Sequence, residues 1–157
     1  MLRYASYDIV FQEIPNEVTL VINISRCPNR CKGCHSPHLQ KDVGEALDEN
    51  TLSAWLKKYG SAITCLCFMG GDAEPHEVSR LVAYIRKECG GIKTAWYSGK
   101  ARLSADFSLL DFDYIKLGAY VERLGGLDSS TTNQRFYRIE KGEMIDSTNI
   151  FHKHKHF

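Results

Sequence analysis

The sequence predicts an α/β domain with a mostly parallel sheet. Strand and helix patterns alternate through the middle of the chain, which is the order that βαβ units require. The apolar run over 62–69 has the length of a buried strand and stops at Gly70-Gly71. A helical pattern with Pro75 near its first position follows that run at once.

Each predicted element has a local signal. The segment Val18–Ile24 is rich in β-branched residues and follows a turn at Pro15-Asn16. The segment 48–59 places its large apolar side chains on one helical face and ends before Gly60, which suits a position after a helix. Strands are predicted over 7–13, Val18–Ile24, 62–69, Lys93–Tyr97, Tyr114–Leu117, 136–140 and Glu143–Asp146, and helices over 48–59 and 75–89.

Length and composition predict one globular domain. The 157 residues carry a net charge of +1 and are 43% hydrophobic, so bulk charge gives no reason to expect nucleic acid or a membrane as a partner. The first 30 residues lack an uninterrupted apolar stretch, and we therefore expect a cytoplasmic protein. The domain is expected to span 1–157, with a polar tail from about residue 147 that includes a His-rich stretch.

The cysteines are the most informative residues. Cys27, Cys31 and Cys34 form a C-x3-C-x2-C run, whereas the other three stand apart at 65, 67 and 89. Three thiolates on one loop leave one iron of a 4Fe–4S cluster without a cysteine ligand. A structural zinc site completed by His35 or His38 is the alternative. We interpret the three separate cysteines as small buried residues.

Two motifs follow neighbouring predicted strands. The cysteine run comes after the strand that ends at Ile24, and Gly70-Gly71-Asp72 comes after the strand over 62–69. Since ligands gather at the carboxyl ends of parallel strands, both motifs are expected at one edge of the sheet. Taken alone, Gly70-Gly71-Asp72 favours a plain strand-to-helix turn in which Asp72 lies near the helix N-cap, and only its pairing with the cysteine run favours a cofactor site.

Together these residues resemble the radical S-adenosylmethionine superfamily. Gly33 before the third cysteine is similar to the loop of the activating proteins of anaerobic ribonucleotide reductase. The sequence departs from that pattern where Ile14-Pro15-Asn16 replaces a Gly-Pro-Gly segment. Further segments that carry the resemblance, in chain order, are Gly70-Gly71-Asp72, Tyr97-Ser98-Gly99, Gly118-Ala119-Tyr120 and Thr132-Asn133-Gln134-Arg135.

The resemblance implies an open partial (β/α) barrel that holds a 4Fe-4S cluster on Cys27, Cys31 and Cys34. It implies that S-adenosyl-L-methionine binds the open iron and that Asp72 accepts a hydrogen bond from its ammonium group. No catalytic side chain is implied beyond the cluster and the cofactor. The residues implied to contact the cofactor are Gly33, Cys34, His35, Gly70, Gly71, Asp72, Asn23 and Ser98.

The implied activity is that of a glycyl-radical-enzyme activase. Its partner would be the large subunit of an anaerobic ribonucleotide reductase, and its electron donor a low-potential protein such as flavodoxin or ferredoxin. A radical S-adenosylmethionine enzyme that acts on a small molecule and a zinc-binding module without catalysis are the other two hypotheses. A zinc protein would be colourless, so metal analysis and visible absorption separate the last from the rest.

Overall fold

The computed structural model describes residues 1–25 and 44–153, and of Lys153 only the backbone. Its elements are β1 (Arg3–Phe11), β2 (Val18–Ile24), β3 (Glu45–Ala46), α1 (Glu49–Tyr59), β4 (Cys65–Met69), α2 (Pro75–Glu88), β5 (Lys93–Tyr97), β6 (Tyr114–Leu117), β7 (Arg135–Glu140), β8 (Glu143–Asp146) and α3 (Asn149–Lys153). The eight strands form one sheet in the order β3-β1-β2-β4-β5-β6-β7-β8.

The sheet is mixed rather than mostly parallel. The four central strands β2, β4, β5 and β6 pair in parallel, and the flanking strands pair antiparallel on both sides. Short connections explain why β1 pairs antiparallel with β2 and β7 with β8, because each pair is joined by a turn too short for the crossover that parallel strands need. The strand order leaves the sheet open over the described residues, and its curvature into a partial barrel stays a prediction.

Both longer helices begin at the signals that the sequence carries. Asp48 caps α1, since its carboxylate accepts a hydrogen bond from the backbone N–H of Thr51 at 2.9 Å. Pro75 is the first residue of α2, where its missing N–H costs no hydrogen bond. The apolar faces of α1 and α2 bury against one side of the sheet, in a core cluster that includes Leu52, Trp55, Val78, Leu81, Val82, Ile85, Leu66, Phe68 and Trp96.

The C-terminal segment closes the other side of the sheet. The ring of Phe151 in α3 meets that of Phe136 edge-on, with ring centroids 4.9 Å apart. The hydroxyl of Thr148 accepts a hydrogen bond from the backbone N–H of Phe136 at 2.9 Å. The backbone N–H of Ser147 donates one to the carbonyl of Phe136 at 2.7 Å. The predicted polar tail from about 147 is therefore wrong for 147–153, because Ile150 and Phe151 pack on a second core cluster. This second core cluster consists of Ile14, Val21, Cys65, Cys67, Ala95, Tyr97 and Phe136.

Element ends differ from prediction mainly at β1 and the short elements. Strand β1 runs over Arg3–Phe11 rather than 7–13, because the chain turns at Gln12, whose φ is +67°. The two residues of β3 and the five of α3 were not predicted, since such short elements carry no periodic pattern. In the described part of the chain, no helix has both the length and the apolar composition that crossing a membrane requires.

A buried carboxylate ties together the amino ends of the parallel strands. Glu17 is 6% exposed and accepts hydrogen bonds from Thr64 Oγ1 at 2.7 Å, Lys93 Nζ at 2.9 Å and Tyr114 Oη at 2.5 Å. Burial alone would raise the pKa of Glu17, but these three donors outweigh it and hold that pKa below its usual value. Burial and the hydrogen bond to Glu17 raise the pKa of Tyr114 to about 12.

Candidate functional site

The carboxyl ends of the parallel strands meet at one edge of the sheet. Asn23 of β2 pairs in register with Met69 of β4, so the chain leaves both strands at neighbouring points. Met69 is in turn in register with Tyr97 of β5, and Tyr97 with Lys116 of β6. The predicted juxtaposition of the strand ends before the cysteine run and before Gly70-Gly71-Asp72 is confirmed.

The two glycines after β4 have left-handed backbones. Gly70 has φ +104° and Gly71 has φ +93°, a region that side chains disfavour. A Cβ on Gly71 would lie 2.6 Å from Cγ2 of Val78, and one on Gly70 would lie 3.2 Å from the carbonyl oxygen of Ile24. Packing of α2 against β2 therefore requires glycine at 71 whether or not a ligand approaches it.

Asp72 joins the loop after β4 to the loop after β5. Its Oδ1 accepts a hydrogen bond from Ser98 Oγ at 2.5 Å, and its Oδ2 accepts one from the backbone N–H of Gly99 at 2.8 Å. The carboxylate is 8% exposed, so these hydrogen bonds to a charged group hold it firmly. The helix N-cap is Glu74, which makes no side-chain capping bond, so Asp72 lies near the cap, and its carboxylate bonds to the loop after β5.

Lys116 extends the same network to β6. Its ammonium donates to the carbonyl of Ser98 at 3.1 Å and to that of Gly118 at 3.0 Å. The carbonyl of Gly118 also accepts from Nε2 of the buried Gln134 at 3.2 Å. The side chains of Asp72, Lys116 and Gln134 thus link four segments that the sequence analysis singled out. These segments follow β4, β5 and β6 and precede β7.

A row of polar and apolar side chains crosses one face of the sheet beside this network. Asn23, Met69, Tyr97 and Lys116 are in register on neighbouring strands and therefore share one face of the sheet. Asn23 donates to Ser6 Oγ at 2.9 Å. Tyr97 donates to the carbonyl of Glu13 at 3.2 Å, and burial raises its pKa well above the usual value, so Tyr97 is a core residue.

The predicted cluster ligands lie outside the described residues. Cys27, Cys31 and Cys34 fall in 26–43, as do Gly33, His35 and the alternative zinc ligand His38. The structure brings Asp72 and Ser98 into direct contact, places Gly70 and Gly71 beside them, and puts Asn23 at the same edge.

The remaining cysteines lie in the core, as predicted. Cys65 and Cys67 are fully buried on β4, and burial raises the pKa of both thiols far above the usual range. Cys89 is half-buried at the end of α2. Within the described ranges, no group of three His, Cys, Asp or Glu side chains is placed to hold a metal ion.

Of three further residues that hold the site together, the sequence analysis missed Trp96, left Lys116 open between the site and solvent, and included Gln134 only as part of a motif. Trp96 donates its indole N–H to the carbonyl of Gly70 at 2.7 Å, while Lys116 and Gln134 make the bonds described above. An indole in a buried strand one residue before a Tyr-Ser-Gly segment and a lysine at a strand end are weak signals, because both residue types are common in cores and on surfaces.

Comparison with known proteins defines the class. A family model described as a 4Fe-4S single cluster domain matches residues 17–108, which is more than half of the chain. The matched region begins at β2, contains the cysteine run and Asp72, and ends in the segment after β5. The chain is therefore an iron–sulfur protein with a mixed α/β sheet.

It belongs to the family of 4Fe-4S single cluster domains. No curated protein and no solved structure matches the chain. The donor set of the chain fits the cluster, since Cys27, Cys31 and Cys34 supply three soft thiolates within eight residues of the matched region.

Proposed function

We propose that this protein is a radical S-adenosylmethionine enzyme that activates an anaerobic ribonucleoside-triphosphate reductase by generating a glycyl radical. In this proposal Cys27, Cys31 and Cys34 hold the cluster. A cluster held there would supply the one electron that cleavage of the C5′–S bond of S-adenosylmethionine requires, with methionine and a 5′-deoxyadenosyl radical as the products.

The observation that carries this proposal is that the two strands that precede the motifs end side by side at one sheet edge. The cysteine run follows β2, Gly70-Gly71-Asp72 follows β4, and these strands are parallel neighbours. A cofactor bound to the open iron would therefore lie within reach of the loop after β4. The family match supports the cluster, and the resemblance of the second motif supports the cofactor.

The protein's own residues would bind and orient this cofactor. Asp72, fixed by Ser98 and Gly99, is a carboxylate suited to a charge-assisted bond with the cofactor's ammonium. Gly33 and His35 would flank the nucleoside through backbone contacts, and Asn23 lies on the sheet face that the row of registered side chains defines. Lys116 would act through the carbonyls of Ser98 and Gly118, which it holds in place.

The partner follows from the reaction. A radical on a polypeptide requires that the partner's glycine segment reach the cofactor at the carboxyl ends of the parallel strands. We propose the large subunit of an anaerobic ribonucleotide reductase as the partner, and flavodoxin or ferredoxin as the electron donor. The partial-barrel curvature of the sheet belongs to the same proposal.

The experiment is anaerobic reconstitution followed by turnover with S-adenosylmethionine and a strong reductant. The expected products are methionine and 5′-deoxyadenosine, and addition of the reductase should yield a glycyl radical signal in electron paramagnetic resonance. Product formation without that signal on any candidate reductase would refute the activase role and leave a small-molecule substrate. A colourless protein that contains zinc would refute the whole proposal.

Matched cysteine variants test the ligand set. Cys27→Ala, Cys31→Ala and Cys34→Ala should each lose the visible absorption and most of the iron, because a thiolate ligand is removed. Cys89→Ala is the control, since this half-buried thiol lies at the end of α2. Equal loss of iron in Cys89→Ala would show that the wrong cysteines have been assigned.

A further inference from the structure

A cavity of about 370 Å³ opens on the helix side of the sheet, between the start of α2 and the segment that follows β5. Trp96, Leu103 and Phe107 form its apolar wall, and the rings of Trp96 and Phe107 stack with centroids 5.2 Å apart. Trp96 and Tyr97 are consecutive strand residues and point to opposite faces. The cavity is therefore on the other face from the row that contains Tyr97 and Lys116.

Two cations line the open side of this cavity. Lys100 and Arg102 are both exposed, and over 1–25 and 44–153 no carboxylate forms an ion pair with either. Arg86 and Lys93 differ in this respect, because each has an acidic partner within 2.9 Å. The one carboxylate among the described residues of the lining, Asp72, forms no ion pair with either cation within 4.0 Å, and its oxygens accept hydrogen bonds from Ser98 and Gly99 in the loop after β5.

The size and chemistry of the cavity select its ligand. A volume near 370 Å³ lies at the small end of the range for ligand sites, which is about 300–1,000 Å³. An apolar wall in which Phe107 and Leu103 are half-buried suits one planar ring system, and two cations at the mouth suit an anionic group attached to it. A dinucleotide is too large, and a neutral apolar molecule would leave the cations unused.

We propose that this cavity binds a nucleoside monophosphate, with the base against Phe107 and Leu103 and the phosphate at Lys100 and Arg102. The cavity shares Asp72 and Ser98 with the proposed S-adenosylmethionine site, but the residues assigned to the base and the phosphate lie outside that site and do not depend on the radical reaction. It borders the candidate cofactor loop, because Asp72 and Ser98 line the cavity. The indole of Trp96 also donates to Gly70 in that loop. We therefore expect a ligand in the cavity to affect the loop after β4.

The test uses the full chain with its cluster, under anaerobic conditions, titrated with adenosine 5′-monophosphate in a calorimeter. Adenosine and inorganic phosphate, titrated separately, should each bind at least tenfold more weakly, because each lacks one of the two contacts. The fluorescence of Trp96, isolated in a Trp55→Phe background, should change on the same titration. Equal binding of adenosine and its monophosphate, or no binding of the monophosphate at millimolar concentration, would overturn the proposal.

Charge variants distinguish the cavity from every other site. Arg102→Gln and Lys100→Gln should each weaken the monophosphate roughly tenfold or more, since each removes a charged hydrogen bond to phosphate. Lys57→Gln, an exposed lysine on α1, is the matched control and should bind normally. Binding that survives in Arg102→Gln and is displaced by S-adenosylmethionine would place the nucleotide in the cofactor site and refute the proposal. Formation of 5′-deoxyadenosine by Arg102→Gln reports on the radical reaction separately.

Discussion

Gly71 offers the sharpest test of how the candidate loop is built. Its φ of +93° and the 2.6 Å approach of a Cβ to Val78 Cγ2 are two separate obstacles to any side chain. Ordinary carbon contacts are about 3.5–4.0 Å, so one of the two groups must move by about 1 Å. Val78 cannot rotate away, because it is β-branched and lies in α2.

We expect Gly71→Ala to lower the free energy of unfolding by about 3 kcal/mol. Left-handed backbone accounts for about 1–2 kcal/mol of this and overpacking for about 1–3 kcal/mol. Two other glycines separate the two effects: Gly142 has φ +77° with open space around it, and Gly91 has open space and no such φ. Gly142→Ala should therefore cost about 1–2 kcal/mol and Gly91→Ala almost nothing.

A double-mutant cycle with Val78→Ala completes the measurement. Val78→Ala alone should cost about 2 kcal/mol because it empties a fully buried site. The double variant Gly71→Ala/Val78→Ala should be at least about 1 kcal/mol more stable than the sum of the single effects, since the clash is gone. Urea unfolding of the four proteins measures this coupling. Additive effects, or a Gly71→Ala protein as stable as the parent, would refute the packing explanation.

Three further predictions concern the network, the pH dependence and the C-terminus. Lys116→Met should weaken S-adenosylmethionine binding severalfold in anaerobic titrations while the visible absorption of the cluster is retained, because the carbonyls of Ser98 and Gly118 lose a shared donor. Glu17→Gln should cost about 2 kcal/mol at neutral pH in urea unfolding. The folded pKa of Glu17 is below its unfolded value of about 4.3, so its stabilisation is present above that pH and is lost as the pH falls through the folded pKa. The variant should show a flatter loss of stability in acid, and an unchanged slope would contradict this. Phe151→Ala should cost about 2 kcal/mol in thermal or urea unfolding, because its half-buried ring packs on the second core cluster, whereas a frayed tail would give no change.

The central strands were predictable because their sequence signals are local. Val18–Ile24, Lys93–Tyr97 and Tyr114–Leu117 have the predicted bounds, since each is a short run bounded by turn residues or a helix end. Strand β3 and helix α3 were missed, because segments of two and five residues are too short to show a hydrophobic periodicity. The antiparallel pairs β1–β2 and β7–β8 follow from their short connections, whereas β6 and β7 are also antiparallel across the long segment 118–134, which no local signal predicts.

The candidate site was predictable only in part, for a related reason. That Asp72 and Ser98 lie near one edge follows from two parallel strands and needs no side-chain information. That they contact each other does not follow, because 26 residues separate them and hydrogen bonds at such separation leave no mark in a sequence. The same holds for Gln134 and Gly118, which are 16 residues apart.

The hydrogen bonds at this edge bear on how the loop after β4 would meet a cofactor. The indole of Trp96 donates a hydrogen bond to the carbonyl of Gly70. Ser98 and Gly99 donate hydrogen bonds to the carboxylate of Asp72. A loop held in this way loses little conformational freedom when a ligand arrives, so less of the binding energy is spent on ordering it. The φ of Gly71 and its closeness to Val78 limit substitution separately, so we expect a change at Gly71 to lower the free energy of unfolding as well as any cofactor affinity. Stability and cofactor affinity must therefore be measured on the same variants, since a loss of affinity in an unstable protein says nothing about the ligand.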